Sequence, residues 1–243
     1  YHPTKPLEAT LPMDHIAIDL HQMSFSSNGY TFILVVIDVC TRFVWIRPIK
    51  DKRAATVAKE LLSILRDFSF CRVCQSDNGK EFVAEVFKEF CKICCIDKRL
   101  IASYNPRSDG IVERPMKDIS NIINKMLASK TDWYWLIPQT QLFMNLRTSS
   151  YHGFTPFSVM FNRPFVGMSD FSSTPLKSAT PEEIVARYNH AQSILFPQVS
   201  SASTTANLKR KQSLDKKLKT LTDPFPDGSL VMAKNILRKT KQD

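Results

Sequence analysis

The sequence predicts an α/β fold, a mixed five-stranded sheet flanked by helices, followed by a C-terminal extension. Three observations carry this. Three strand-like segments joined by short turns open the fold, helical and strand-like segments then alternate, and past Pro164 the composition turns polar and then basic. A chain of 243 residues with 43% hydrophobic content can build one sizeable core plus appendages.

Residues 1–12 contain three prolines and no periodicity, so 1–11 read as an incoming linker and 12–165 as the core. His15 to Leu20 alternates between apolar and polar, Tyr30 to Ile37 is a β-branched and aromatic run, and Arg42 to Ile49 alternates again. Asn28-Gly29 suits the hairpin turn between the first two strands. Residues 53–66 place Ala54, Val57, Ala58, Leu61, Leu62 and Leu65 at helical spacing. A fourth strand (70–76), a helix (80–95) and a short strand (98–102) follow. A polar loop, Ser103 to Asp109, leads to a helix phased by Val112, Met116, Ile119, Ile123, Met126 and Leu127. Proline costs about 3 kcal/mol inside a helix but little in its first turn, so Pro115 predicts a start near Val112 or a kink there. Further helices are expected over 132–147 and, opened by Pro156, near 156–161. Trp133, Trp135 and Phe143 read as core fillers rather than base-stacking residues.

The extension reads as a polar and basic linker, 166–222, partly helical, in which 198–206 are nearly all small and polar. Residues 223–243 read as the truncated start of a small β domain, with Ser229 to Lys234 as its first strand. Between 208 and 243 stand ten Lys and Arg against four Asp, so six of the net +10 charges lie there (10 − 4 = 6). That excess favours a polyanionic partner, most simply nucleic acid, although an anionic membrane surface also attracts basic charge. No run approaches the ~18 apolar residues of a membrane span, and the first residues lack signal-peptide order. A soluble intracellular protein, and a piece of a longer one, is the expectation.

Six cysteines raise the question of zinc. Cys71-x-x-Cys74 and Cys91-x-x-Cys94 have a spacing that structural zinc sites use. Against it, residues three apart on a strand face opposite sides, which would separate Cys71 from Cys74. Phe87, Phe90, Cys91 and Cys94 form a helical stripe in which cysteine acts as a small hydrophobe. Buried thiols and no zinc in this segment are therefore expected.

The acidic residues carry more chemistry. Asp19 lies near the end of the first strand, Asp77 follows the fourth, and Glu113, near a helix start, is separated from Asp77 by thirty-five residues. Two like charges at about 4 Å repel by ~4 kcal/mol at an effective dielectric near 20, so clustered carboxylates need cations. Oxygen-only donors select Mg²⁺ or Mn²⁺, and two such ions catalyse phosphodiester displacement. Asp38, ending the second strand, reads as structural or supporting, and His15 as packed or hydrogen-bonded.

Four ordered motifs, His15-Ile16-Ala17-Ile18-Asp19, Leu34 to Asp38, Ser76-Asp77-Asn78-Gly79-Lys80-Glu81-Phe82, and Tyr104 to Arg114, resemble the catalytic core of retroviral and gypsy-type LTR-retrotransposon integrases. Trp133 to Pro138 and Thr155 to Pro164 extend the likeness over roughly 12–165. The resemblance implies an RNase H-like fold and a polynucleotidyl transferase acting on element ends and target DNA. Asp19 would bridge two Mg²⁺ or Mn²⁺ ions, Asp77 complete one site and Glu113 the other. Water would first attack near the 3′ end of element DNA, and the freed 3′ hydroxyl would then attack the target strand. The resemblance also implies a homo-oligomer with no membrane partner, a nuclear site of action reached through the cytoplasm, and an SH3-like identity for 223–243.

Gly79 has a physical reading of its own, since a residue without Cβ permits a tight exit from strand to helix. Two readings stand for Asn105 and Ser108, ordering substrate and water or capping their loop. Two also stand for Arg114 and Lys117, contacts to a phosphate backbone or a solvated basic face. The alternatives to an active integrase are another RNase H-like nuclease and a captured, non-enzymatic nucleic-acid-binding protein.

Overall fold

The computed structural model describes residues 9–100, 106–126, 132–166 and 180–218. Five strands form one sheet: β1 (His15–Gln22), β2 (Phe32–Asp38), β3 (Val44–Ile49), β4 (Val73–Ser76) and β5 (Asp97–Leu100). Their order across the sheet is β3-β2-β1-β4-β5. The hairpins pair β1 with β2 and β2 with β3 antiparallel, whereas β1 with β4 and β4 with β5 are parallel. Parallel neighbours require a crossover, which a helix supplies. Here α1 (Ala54–Phe68) joins β3 to β4, and α2 (Lys80–Val83) with α3 (Glu85–Ile93) joins β4 to β5. The predicted single helix over 80–95 is two, because Ala84 takes an extended conformation (φ −58°, ψ 146°).

Alternation along the strands divides the core in two. Ile16, Ile18, Leu34, Val36 and Trp45 face α1 and α3. Ala17, Ile33, Val35, Ile37 and Ile46 face Met116, Ile119 and Ile123 of α4 (Pro106–Met126) and Ile137 of α5 (Ile137–Leu146). The result is a sheet between two helical layers. Its two edges are protected differently: β5 reads Asp-Lys-Arg-Leu, and charge discourages pairing with another chain, while β3 is covered by α5. Turn chemistry behaves as expected at Asn28-Gly29, where Gly29 has φ 81° and donates to the Ser26 carbonyl.

Several expectations are corrected. Helix α4 starts at Pro106, not near Val112, and contains Pro115 in its interior; packing of Met116, Ile119 and Ile123 on the sheet offsets the lost hydrogen bond. Of the predicted core aromatics only Trp133 is buried, with its ring N–H donating to the Ser24 carbonyl. Trp135, in the 3-10 turn Trp133–Leu136 before α5, is 66% exposed, and Phe143, on α5, is 56% exposed. The region predicted to be partly helical is continuously helical over 181–218, from α7 (Pro181–His190) through one π turn into α8 (Phe196–Leu218). The small residues of 198–206 lie inside α8, where Val199 packs with Cys40 and with Val159 of α6 (Pro156–Phe161). The proposed first strand of a further domain, 229–234, lies outside the described residues.

His15 is buried, and burial, aided by the Arg99 charge, lowers its pKa from 6.5 to about 4. The unfolded chain takes up that proton below about pH 6.5 while the folded one does not, so stability is lost as pH falls from there to about 4. Asp38 acts in the opposite sense. Burial raises its pKa to about 6, so the folded form binds the proton more tightly between about pH 4 and 6, and that contribution is lost as pH rises. The two oppose each other in wild type. The difference between wild type and His15→Leu should therefore change by about 3 kcal/mol between pH 7 and 4, read from urea unfolding at each pH.

Candidate active site

Strand β1 holds Asp19 at the centre of the sheet, between β2 and β4. Its backbone is paired with Val35, and it shares a face with Ala17. The parallel register with β4 sets Ala17 opposite Gln75. Counting two residues on along each strand brings Asp19 and Asp77 to the same level of neighbouring chains, which run about 4.8 Å apart while paired. Asp77 leaves β4 directly after Ser76 and is exposed. The Gly79 N–H donates to its Oδ1 at 3.0 Å, which orients the carboxylate. The Asp19 Oδ1 accepts from the Leu20 N–H at 2.7 Å.

The third acid, Glu113, lies in α4, three residues before Met116. That helix packs on the face of the sheet that carries Ala17, and His21 Nε2 lies 3.1 Å from Ser120 Oγ. The side chains of Ser108 and Glu113 lie outside the described residues, as does Asn105 altogether. Arg114 and Lys117 are exposed on α4. Arg114 lines a cavity of about 390 Å³ together with Arg147 and Arg42. Asp118 pairs with Arg147 at 3.3 Å.

Asp38 plays a structural part. It is fully buried, and its oxygens accept from the Met13 N–H (3.0 Å), the Thr41 N–H (2.8 Å) and the Thr41 hydroxyl (2.6 Å). These bonds close the turn between β2 and β3.

Gly79 serves the site through space. Its φ of −55° is open to any residue, so the strand-to-helix exit does not need glycine for its backbone. A Cβ at this position would stand 3.0 Å from Asp77 Oδ1 and 3.0 Å from Glu81 Oε1. Gly79→Ala should push the Asp77 carboxylate aside, and since a misplacement of about 1 Å can cost about 100-fold in rate, this smaller shift should cost less than that but measurably. Both crowded atoms end mobile side chains, so the melting temperature should hold. Circular dichroism and a DNA-joining assay on the same preparation check the two halves.

Cys71, Cys74 and Cys91 belong to the core, for a different reason from the one expected, whereas Cys94 is half-buried and Cys95 exposed. Cys71 precedes β4, which begins only at Val73, so strand alternation does not separate it from Cys74. Both pack in one cluster with Cys91. Burial pushes the Cys71 thiol up to about 12 and that of Cys91 up to about 11, which disfavours the thiolates that zinc requires. Among the described residues no group of three His, Cys, Asp or Glu side chains is arranged to hold a metal.

With this geometry in place, comparison with known proteins is specific. Residues 9–106 match the family described as Integrase core domain. The Pro-Pol polyprotein of simian foamy virus type 3 (strain LK3) is 31% identical over 207 residues, 83% of this chain and 18% of that polyprotein. The chain thus spans under a fifth of that relative's length. Among solved structures, the simian T-cell lymphotropic virus intasome in complex with PP2A regulatory subunit B56 gamma has a TM-score of 0.56 at 18% identity, covering 72% of this chain and 61% of that one. The dimeric form of the HTLV-2 integrase catalytic core domain, in complex with magnesium, has a TM-score of 0.52 at 21% identity, covering 62% of this chain and 97% of that one. At such identities these structures speak to the fold alone. Residues 9–106 thus match an integrase core domain, and the sheet has the RNase H-like fold of the retroviral integrase cores.

Proposed function

We propose that the chain joins element DNA ends to target DNA, after processing their 3′ ends, with Asp19, Asp77 and Glu113 holding two Mg²⁺ or Mn²⁺ ions. The observation that supports this most is the parallel register of Ala17 with Gln75, which, continued two residues along each chain past the end of β4, brings Asp19 and Asp77 level. Two carboxylates so placed are a hard oxygen donor set that suits magnesium. When bound, divalent ions supply charge stabilisation at the attacking and leaving oxygens of the phosphodiester.

The chain's own residues do the rest. β1, paired with β2 and β4, fixes the backbone of Asp19, and the Leu20 N–H holds its Oδ1. The Gly79 N–H fixes one oxygen of Asp77. Glu113 completes the set from α4, whose Arg114 and Lys117 offer charge to the phosphate backbone; Asn105 and Ser108, ahead of them, order the substrate. A homo-oligomer is part of this reading, in keeping with the dimeric form of the HTLV-2 core.

The test is a joining assay with oligonucleotides that mimic element ends. Joining that depends on Mg²⁺ or Mn²⁺, stops with EDTA and is absent in Asp19→Asn supports the proposal. Products that persist in Asp19→Asn overturn it, and cutting without joining would identify a nuclease instead.

A further inference from the structure

The turn that Asp38 closes forces an unusual arrangement on Arg42. Its φ is 63°, in the left-handed region that an arginine occupies at a cost of about 1–2 kcal/mol. Its side chain is 8% exposed. The guanidinium carbon lies 3.9 Å from the centre of the Tyr151 ring, so stacking covers one flat face. The donors in the plane are another matter: among the described residues, Nε and Nη1 have no hydrogen-bond partner. Asp38, the nearby carboxylate, makes no ion pair with it among the described residues, and already accepts three hydrogen bonds.

Arg42 borders a cavity of about 160 Å³ between this turn and α8. Thr10, Ser200, Ser203, Thr204 and Asn207 line it. The Ser203 hydroxyl is likewise buried without a partner among the described residues. A second cation stands close by, since Arg210 Nη1 donates to the Tyr151 hydroxyl at 2.6 Å. Buried guanidinium donors without partners are costly. Together with the hydroxyl and amide groups that line the cavity Arg42 borders, the guanidinium offers donors that fit the oxygens of a tetrahedral anion. The space admits such an ion, being several times the ~30 Å³ that a water molecule takes in the liquid.

We propose that Arg42, Ser203 and Asn207 form a phosphate-binding site that ties α8 to the β2–β3 turn. Asp19 lies apart from this site. The turn meets the start of β1, where the Val39 N–H donates to the His15 carbonyl, and Asp19 is four residues further along, about 13 Å away.

The experiment uses the full chain, inorganic phosphate as probe, and sodium chloride to hold ionic strength constant. Isothermal titration should give saturable binding, with a matching rise in melting temperature. Arg42→Gln should weaken binding by about tenfold or more, as loss of a charged donor does. Because Arg42 is buried and that variant can fail to fold, Ser203→Ala with Asn207→Ala on α8 serves as the second probe and should weaken binding severalfold while keeping the circular dichroism spectrum. No stabilisation beyond that of sodium chloride, as when only water fills the cavity, overturns the proposal, and so does equal stabilisation of wild type and the α8 variant. A duplex oligonucleotide arm identifies the source of the phosphate. If the α8 variant also loses duplex affinity and free phosphate competes, the site takes a backbone phosphate. If duplex affinity is unchanged, it takes a small free phosphate.

Discussion

Asp77→Asn is expected to abolish metal-dependent DNA joining while leaving the fold intact. Asp77 is exposed, and its described hydrogen bond is accepted by Oδ1 from the Gly79 N–H. An asparagine Oδ1 accepts the same bond, so the melting temperature should move by no more than a degree or two, a surface-scale effect. The substitution removes the negative charge and one of two donor oxygens. Loss of an outer partner to a metal ligand typically costs about 10–100-fold, so loss of the ligand itself should exceed about 100-fold. Joining assays with Mg²⁺ and Mn²⁺, alongside thermal unfolding, decide the matter. Wild-type joining by a folded Asp77→Asn protein would remove Asp77 from the reaction; an unfolded variant would show that the residue serves the fold.

The second large effect concerns stability. Asn145 is 2% exposed and faces edge strand β3. Its Oδ1 accepts from the Val44 N–H and its Nδ2 donates to the Val44 carbonyl, each at 2.8 Å. One side chain thus supplies both bonds that a neighbouring strand would have made. Asn145→Ala leaves both backbone groups unpaired beneath α5. Each buried group without a partner costs about 1–3 kcal/mol, so a loss of about 3 kcal/mol is expected in urea unfolding. Gln141 repeats the device one step along, accepting from the Ile46 N–H at 2.8 Å. It is half-buried, so water can replace it, and Gln141→Ala should cost about 1 kcal/mol or less. Equal losses for the two variants would contradict this account of the β3 edge. A freed edge also invites pairing between chains, so Asn145→Ala should aggregate more readily, as light scattering would register.

The two residues differ in how readily they are read from the letters. Asp77 stands in a motif at the end of an obvious strand, with glycine two residues on, and its chemistry follows from its type and place. Asn145 is one polar residue in a helix of mixed character. Nothing in its neighbourhood announces that it will meet a strand one hundred residues earlier. Arg42 is similar: as a letter it opens an alternating strand, and only the turn closed by Asp38 makes it a buried donor without a partner.

The sequence by itself determined the five strands, their helical crossovers and the burial of Cys71, Cys74 and Cys91, and it nominated Asp19, Asp77 and Glu113. These depend on periodicity, turn residues and short motifs, which are local. Tertiary structure alone decided that α4 begins at Pro106 and runs through Pro115, that Trp135 and Phe143 face outward, and that the small residues of 198–206 continue a helix. It also made Cys71 a neighbour of Cys74, turned Gly79 into space for a carboxylate and set Asn145 against Val44. Packing energy outweighs helix propensity by several kcal/mol in such places. Contacts between segments far apart in the chain leave no periodic trace in either segment.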